Sequence, residues 1–198
     1  AMIRSIEGAE DIRDDGAQAI LDYCVTKKDV VLGITASSST PFVLGALKQA
    51  KKVNAITGLL ICNEQSDLPC VDHVISIIVG PEVITGSTRM KAGTATKMAL
   101  NMITTTAMIK LNKTFGNLMV DLKASNQKLL DRGARIISHL TDLNYEGSMQ
   151  LLKTVDGEVK TAIVMRKLNV NAEDARHKIS TQSGSLRKAI GDASSKLY

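Results

Sequence analysis

Residues 74–111 constrain the fold of this chain more than any other stretch. An apolar run from Val74 to Val79 gives way to a glycine- and hydroxyl-rich turn, Gly86-Ser87-Thr88. A proline-free stretch to Leu111 then carries an apolar stripe through Met98, Met102, Met108 and Ile109. The pattern reads as a buried strand feeding one long central helix that starts near Thr88. Ser87 or Thr88 is the expected N-cap, and the free backbone N–H groups of such a helix entrance form a candidate anion site. Arg89 and Lys91 lie at the unfavourable, positive end of the helix dipole. Either an anionic ligand offsets them or they pair with nearby acids such as Glu82.

The same grammar recurs upstream. Asp29 to Thr35 is a short apolar run bounded by charge, as expected of a buried parallel strand, and it ends in the hydroxyl-rich loop 35–40. Phe42 to Lys51 then has helical spacing, Asn54 to Cys62 reads as a second strand, and His73 to Val79 as a third. Residues 3–24 carry a helix, a break at Gly8 and a second helix from Ile12 to Tyr23. Strand, helix, strand, strand and long helix imply an α/β fold, a three-layer αβα arrangement around a parallel sheet. Three strands are few for such a sheet, whose members need neighbours and cover on both faces, so it reads as incomplete.

The segment from Leu118 to Leu140 is again amphipathic, with Leu118, Leu122, Leu129 and Ile136 near a seven-residue rhythm. Residues 142–190 break into short helices: Gly147 to Val155, Glu158 to Leu168, Ala172 to Thr181 and Leu186 to Ile190. The division expected is a partial α/β domain over residues 1–140, long helices included, and a small all-helical C-terminal domain over 141–198.

Composition narrows the ligand class. Aromatic residues make up 3% of the chain and there is no Trp, which argues against a base-stacking nucleic-acid surface. The formal charge of +5 is spread along the sequence rather than run together, which suits a small phosphorylated ligand better than nucleic acid. Cys24, Cys62 and Cys70 lack CxxC spacing, and His73, His139 and His177 are far apart, so reduced thiols and no metal are expected. No apolar run reaches membrane-spanning length and the N-terminus lacks a secretion core, pointing to a cytoplasmic protein with no membrane partner.

Two segments carry candidate chemistry besides the helix entrance. Loop 35–40 stands at the carboxyl end of a parallel strand, where open α/β sheets bind ligands, and its hydroxyls and N–H groups suit phosphate oxygens. Serine-rich strand–helix turns also serve as plain caps. Glu7, Glu10 and Asp11 gather carboxylates at a helix break, either as a solvated face or as a proton-transfer site.

Together Ile6 to Asp11, Gly33 to Val43, Gly86 to Lys97 and Phe115 to Asp121 resemble, in content and order, the N-acetylmuramic acid 6-phosphate etherases of the sugar isomerase (SIS) superfamily. The resemblance covers nearly the whole chain and implies an SIS-type sheet. It implies a carbon–oxygen lyase of cell-wall sugar recycling that releases D-lactate, needs no cofactor, and forms a homodimer through residues 88–111 and 118–140. By the same resemblance Glu10 matches the family's acid/base glutamate, Ser37, Ser38, Ser39 and Thr40 its sugar-phosphate loop, and Ser87, Thr88, Arg89 and Lys91 its helix-head signature. The loop departs from the family at Ser38-Ser39, where the etherases usually carry Gly-Arg or Gly-Thr. The family's first SIS strand, a glycine-rich phosphate loop and a second catalytic glutamate precede the element that holds Glu10. The chain is therefore expected to correspond to the carboxyl-terminal two-thirds of an etherase, with little or no activity alone. The glucokinase regulatory protein shares the Gly86 to Lys91 signature, so a non-catalytic sugar-phosphate sensor is the alternative.

Overall fold

The computed structural model describes residues 6–64 and 70–192. The chain divides into two compact units, Ala1–Met102 and Ile103–Tyr198, with the boundary inside a long helix.

In the first unit α1 (Arg13–Asp22) precedes β1 (Val30–Ile34), α2 (Pro41–Lys52), β2 (Ile56–Ile61) and β3 (His73–Ser76). The fold is α/β, as expected, with a parallel sheet in the order β1-β2-β3. Gly58 is paired with Leu32 on one side and His73 on the other. The unbroken apolar sequence of β2 is explained by its central place: Leu59, Leu60 and Ile61 are fully buried. The flanking strands are more open, with Val30 and Val74 exposed. The helix expected before Gly8 lies largely outside the described residues. Ala9–Asp11 form a single 3-10 turn behind Gly8, whose φ of 75° favours glycine.

α1 and α2 meet through two glycines. A Cβ on Gly16 would lie 2.0 Å from the Phe42 carbonyl oxygen, and one on Gly45 2.0 Å from that of Arg13. Only glycine permits backbones this close, and the contact fixes the turn before α1 relative to the loop before α2.

At the opposite end of the sheet the buried Thr57 donates its N–H and its hydroxyl to the Asp72 carboxylate, each at 2.9 Å, and Lys51 pairs with the same carboxylate. The Lys51 ammonium and then the Thr57 donors hold Asp72 far below the usual carboxylate range. A depressed acid stabilises the fold above its ordinary value, here 3.8, and that contribution is lost as pH falls toward the folded value. Amide exchange in β2, compared between wild type and Asp72→Asn from about pH 7 down to about pH 3, should therefore show a difference that shrinks with acid.

α3 spans Lys91–Lys110. It begins later than Thr88, and Ala92 and Ala99 are its buried residues, so the apolar stripe through Met98, Met102, Met108 and Ile109 is exposed.

In the second unit the expected amphipathic stretch 118–140 is not one helix. A two-residue-strand hairpin, β4 (Thr114–Phe115) with β5 (Leu118–Met119), comes first. The chain then stays extended, held by Ala124 N–H to the Gly157 carbonyl at 2.9 Å, until Asn126 caps α4 (Gln127–Leu140) through the Leu129 N–H. α5 (Tyr145–Thr154), α6 (Val159–Leu168), α7 (Ala172–Thr181) and α8 (Leu186–Ile190) follow the expected helices closely. Asn144 and Asn171 cap α5 and α7, which accounts for the sharp breaks at those asparagines. Ile137, Leu152, Val159, Ile163 and Leu186 centre the core of this unit. The last residues of the expected C-terminal domain, 193–198, lie outside the described residues.

Candidate functional site

One open cleft of about 590 Å³ gathers residues from three separate stretches of the first unit. β1 delivers the chain to its carboxyl end, where Thr35, Ser37, Ser39 and Thr40 line the cleft; Glu10 and Asp11 come from the 3-10 turn, and Thr88 from the loop before α3. Pro41 opens α2 where a missing N–H costs nothing, and the free N–H groups of the first helical turn follow it.

The hydroxyls of this loop are arranged by one another. Thr40 makes no side-chain cap bond to α2; its hydroxyl instead lies 2.6 Å from that of Thr35. The Ser37 and Ser39 hydroxyls are 3.2 Å apart. Two hydroxyl pairs at the mouth of a helix provide several donors at close spacing, an arrangement able to hold the oxygens of a tetrahedral anion. Among the described residues the exposed Glu10 carboxylate has no hydrogen-bond or ion-pair partner, which leaves it available to a ligand in the cleft.

Of the residues singled out in the sequence, the cleft brings together Glu10, Ser37, Ser39, Thr40 and Thr88; Ser38, Ser87, Arg89 and Lys91 are not in its lining. Asp11 and Thr35, which belong to the same motifs, line it as well. The entrance to α3 differs from expectation. Neither Ser87 nor Thr88 is its cap: the Glu82 carboxylate accepts the backbone N–H of Lys91 at 3.1 Å and of Ala92 at 3.0 Å. Those N–H bonds, with Lys91 nearby, hold the Glu82 carboxyl below its ordinary value. The Lys91 ammonium donates to the Pro81 carbonyl at 2.8 Å rather than to an acid. A carboxylate nine residues upstream is outside any local capping pattern, and only the positive charge near the helix start hinted at it.

No protein-family model matches the sequence. Curated relatives do. The chain is 51% identical over 192 residues to the N-acetylmuramic acid 6-phosphate etherase of Clostridium acetobutylicum, covering 96% of this chain and 63% of that protein. The etherase of Synechocystis sp. is 47% identical over 194 residues, with 98% and 64% covered, and that of Staphylococcus epidermidis 47% identical over 191, with 96% and 65% covered. The chain belongs to the N-acetylmuramic acid 6-phosphate etherase family. It spans less than two thirds of the length of these relatives. The sensor alternative finds no support in these etherase relatives. Among the described residues no helix is long and apolar enough to cross a membrane.

Proposed function

We propose that this chain carries the sugar-phosphate cleft of an etherase acting on N-acetylmuramic acid 6-phosphate, with D-lactate and N-acetylglucosamine 6-phosphate as products. The observation that supports it is the convergence of Glu10 with Ser37, Ser39, Thr40 and Thr88 on one cleft of a chain related to etherases. In the open-chain sugar C2 lies beside the aldehyde, so a carboxylate can remove its proton. Electrons from that C–H bond form the C2–C3 double bond as the C3–O bond breaks, and a second acid protonates the departing lactate oxygen. Water then adds at C3 and C2 regains a proton. Glu10 serves as one of the two proton-transfer groups. The phosphate sits on the hydroxyl pairs of loop 35–40, with the α2 dipole favouring its charge.

A homodimer in the cytoplasm belongs to the same reading, and the exposed methionine and isoleucine stripe of α3 supports the packing of a second copy.

Ligand-induced stabilisation tests the cleft without requiring turnover. N-acetylglucosamine 6-phosphate at about a hundred times its Kd should stabilise the first unit by about 2.7 kcal/mol, read from amide exchange in β2. Ser37→Ala combined with Ser39→Ala should abolish the effect. Stabilisation by fructose 6-phosphate in place of the amino sugar phosphate, or by neither, would overturn the proposal.

A further inference from the structure

We propose that Glu82 is a positioning residue of this cleft: by clamping the first turn of α3 it closes the segment 82–91 into a fixed loop and so holds Thr88 in the cleft wall. The inference rests on the etherase reading for its functional meaning and on the geometry of the loop for its substance.

The clamp has two prongs on one side chain. One Glu82 oxygen takes the Lys91 N–H at 3.1 Å and the other the Ala92 N–H at 3.0 Å, so a negative charge meets donors that the helix itself cannot satisfy. The reverse contact runs through Lys91, whose ammonium reaches back to the Pro81 carbonyl at 2.8 Å. Both ends of the loop are thereby tied to each other twice.

Within the loop the chain is held further by the Ser87 N–H to Ile84 carbonyl bond at 3.0 Å, and the Thr88 carbonyl accepts the Gly93 N–H at 3.0 Å. Gly86, at φ 83°, sits inside the 84–87 turn that the first of these bonds closes. Thr88 is the residue this loop contributes to the cleft lining. The helix start is itself anchored to the sheet: the buried Cys62 thiol at the end of β2 lies 3.7 Å from the Ala92 carbonyl oxygen and 3.5 Å from the Thr96 hydroxyl. The path from Glu82 to Thr88 is thus a short closed loop mounted on the central strand.

One consequence concerns the ligand. The Lys91 and Ala92 N–H groups are already taken by a carboxylate of the chain, so the phosphate is assigned to loop 35–40 and the α3 entrance contributes Thr88 alone.

The test uses the intact chain labelled with ¹³C at threonine methyl groups, with Thr88→Ser to assign the resonance. The clamp is intact above the ordinary glutamate value of 4.5 and opens as pH falls through the lower value it has in the fold. Lys91 is the charged group facing Glu82. The Thr88 methyl resonance is therefore expected to show a titration below 4.5 in wild type that is absent in Glu82→Gln. Glu82→Gln should also weaken N-acetylglucosamine 6-phosphate binding roughly tenfold, about the loss of one hydrogen-bonded contact. A Thr88 resonance indifferent to both acid and Glu82→Gln overturns the proposal. So does tighter ligand binding by the variant, or a ligand-induced shift of the Lys91 and Ala92 amides in wild type, because either makes the helix entrance an anion site that Glu82 blocks. Titration of Thr88 without any response to the sugar phosphate leaves the clamp standing and removes the etherase reading instead.

Discussion

Lys160→Met is expected to lower the stability of the second unit by about 3 kcal/mol, at the lower end of what breaking a buried ion pair costs. Lys160 is a buried cation on α6, and its ammonium is fully used: it donates to the Asn112 carbonyl at 2.7 Å and the Gly184 carbonyl at 2.8 Å, and pairs with Asp121 at 2.9 Å. These three acceptors belong to the turn before the hairpin, the stretch after it and the turn before α8. One ammonium therefore joins three separate segments of the chain. Methionine fills the same space and offers no donor, leaving two carbonyls unpaired. Asp121 keeps Lys113 and some water, which limits the loss. Lys113→Met, at a far more exposed position, should cost less than about 1 kcal/mol. Amide exchange at Ile163 and Val164 measures the effect, with Leu59 and Leu60 in the first unit as an internal control. Equal protection in Lys160→Met and wild type would contradict this account.

Lys160 also marks a limit of what the sequence discloses. Val159 through Val164 are all buried, so the first turns of α6 are enclosed all round, whereas a lysine in a helix ordinarily reads as the solvent side. The strands were legible because each is a short apolar run ended by turn residues, and the C-terminal helices because asparagines at 144 and 171 stop and start them. The hairpin 114–119 was not, because two-residue strands are too short to show a period. The cleft brings Glu10 and loop 35–40 together, yet Ser38 is not in the lining while its neighbours Ser37 and Ser39 are. Composition names a loop, and only its backbone path selects among adjacent hydroxyls. The start of α3 shows the same limit: local capping rules favour Ser87 or Thr88, and a carboxylate folded back from residue 82 takes the N–H groups instead.

Gly45→Ala should disrupt both the first unit and its cleft, because the new Cβ would meet the Arg13 carbonyl oxygen at 2.0 Å. Gly16→Ala meets the Phe42 carbonyl oxygen at the same 2.0 Å from the opposite side. Neither obstacle is a side-chain tip that can swing away, so the two helix backbones must separate. Overpacking of this kind costs about 1–3 kcal/mol and more where backbone is the obstacle, so each variant is expected to lose at least about 3 kcal/mol. The displacement also bears on the cleft. α1 directly follows the turn that carries Glu10 and Asp11, and α2 directly follows the loop that carries Ser37, Ser39 and Thr40, so parting the helices pulls the carboxylates from the hydroxyls. Any fraction that stays folded should bind N-acetylglucosamine 6-phosphate more weakly than wild type. Gly93→Ala provides the contrast within the same unit: its Cβ would lie 3.4 Å from the Thr88 carbonyl oxygen, an ordinary contact, in the first turns of α3. There the same chemical change should stabilise by about 0.4–1 kcal/mol through the unfolded chain. Thermal melts of the three variants, with exchange protection in β2, separate the two signs. A harmless Gly45→Ala would mean that α1 and α2 are not in contact, and the cleft joining Glu10 to loop 35–40 would have no rigid support.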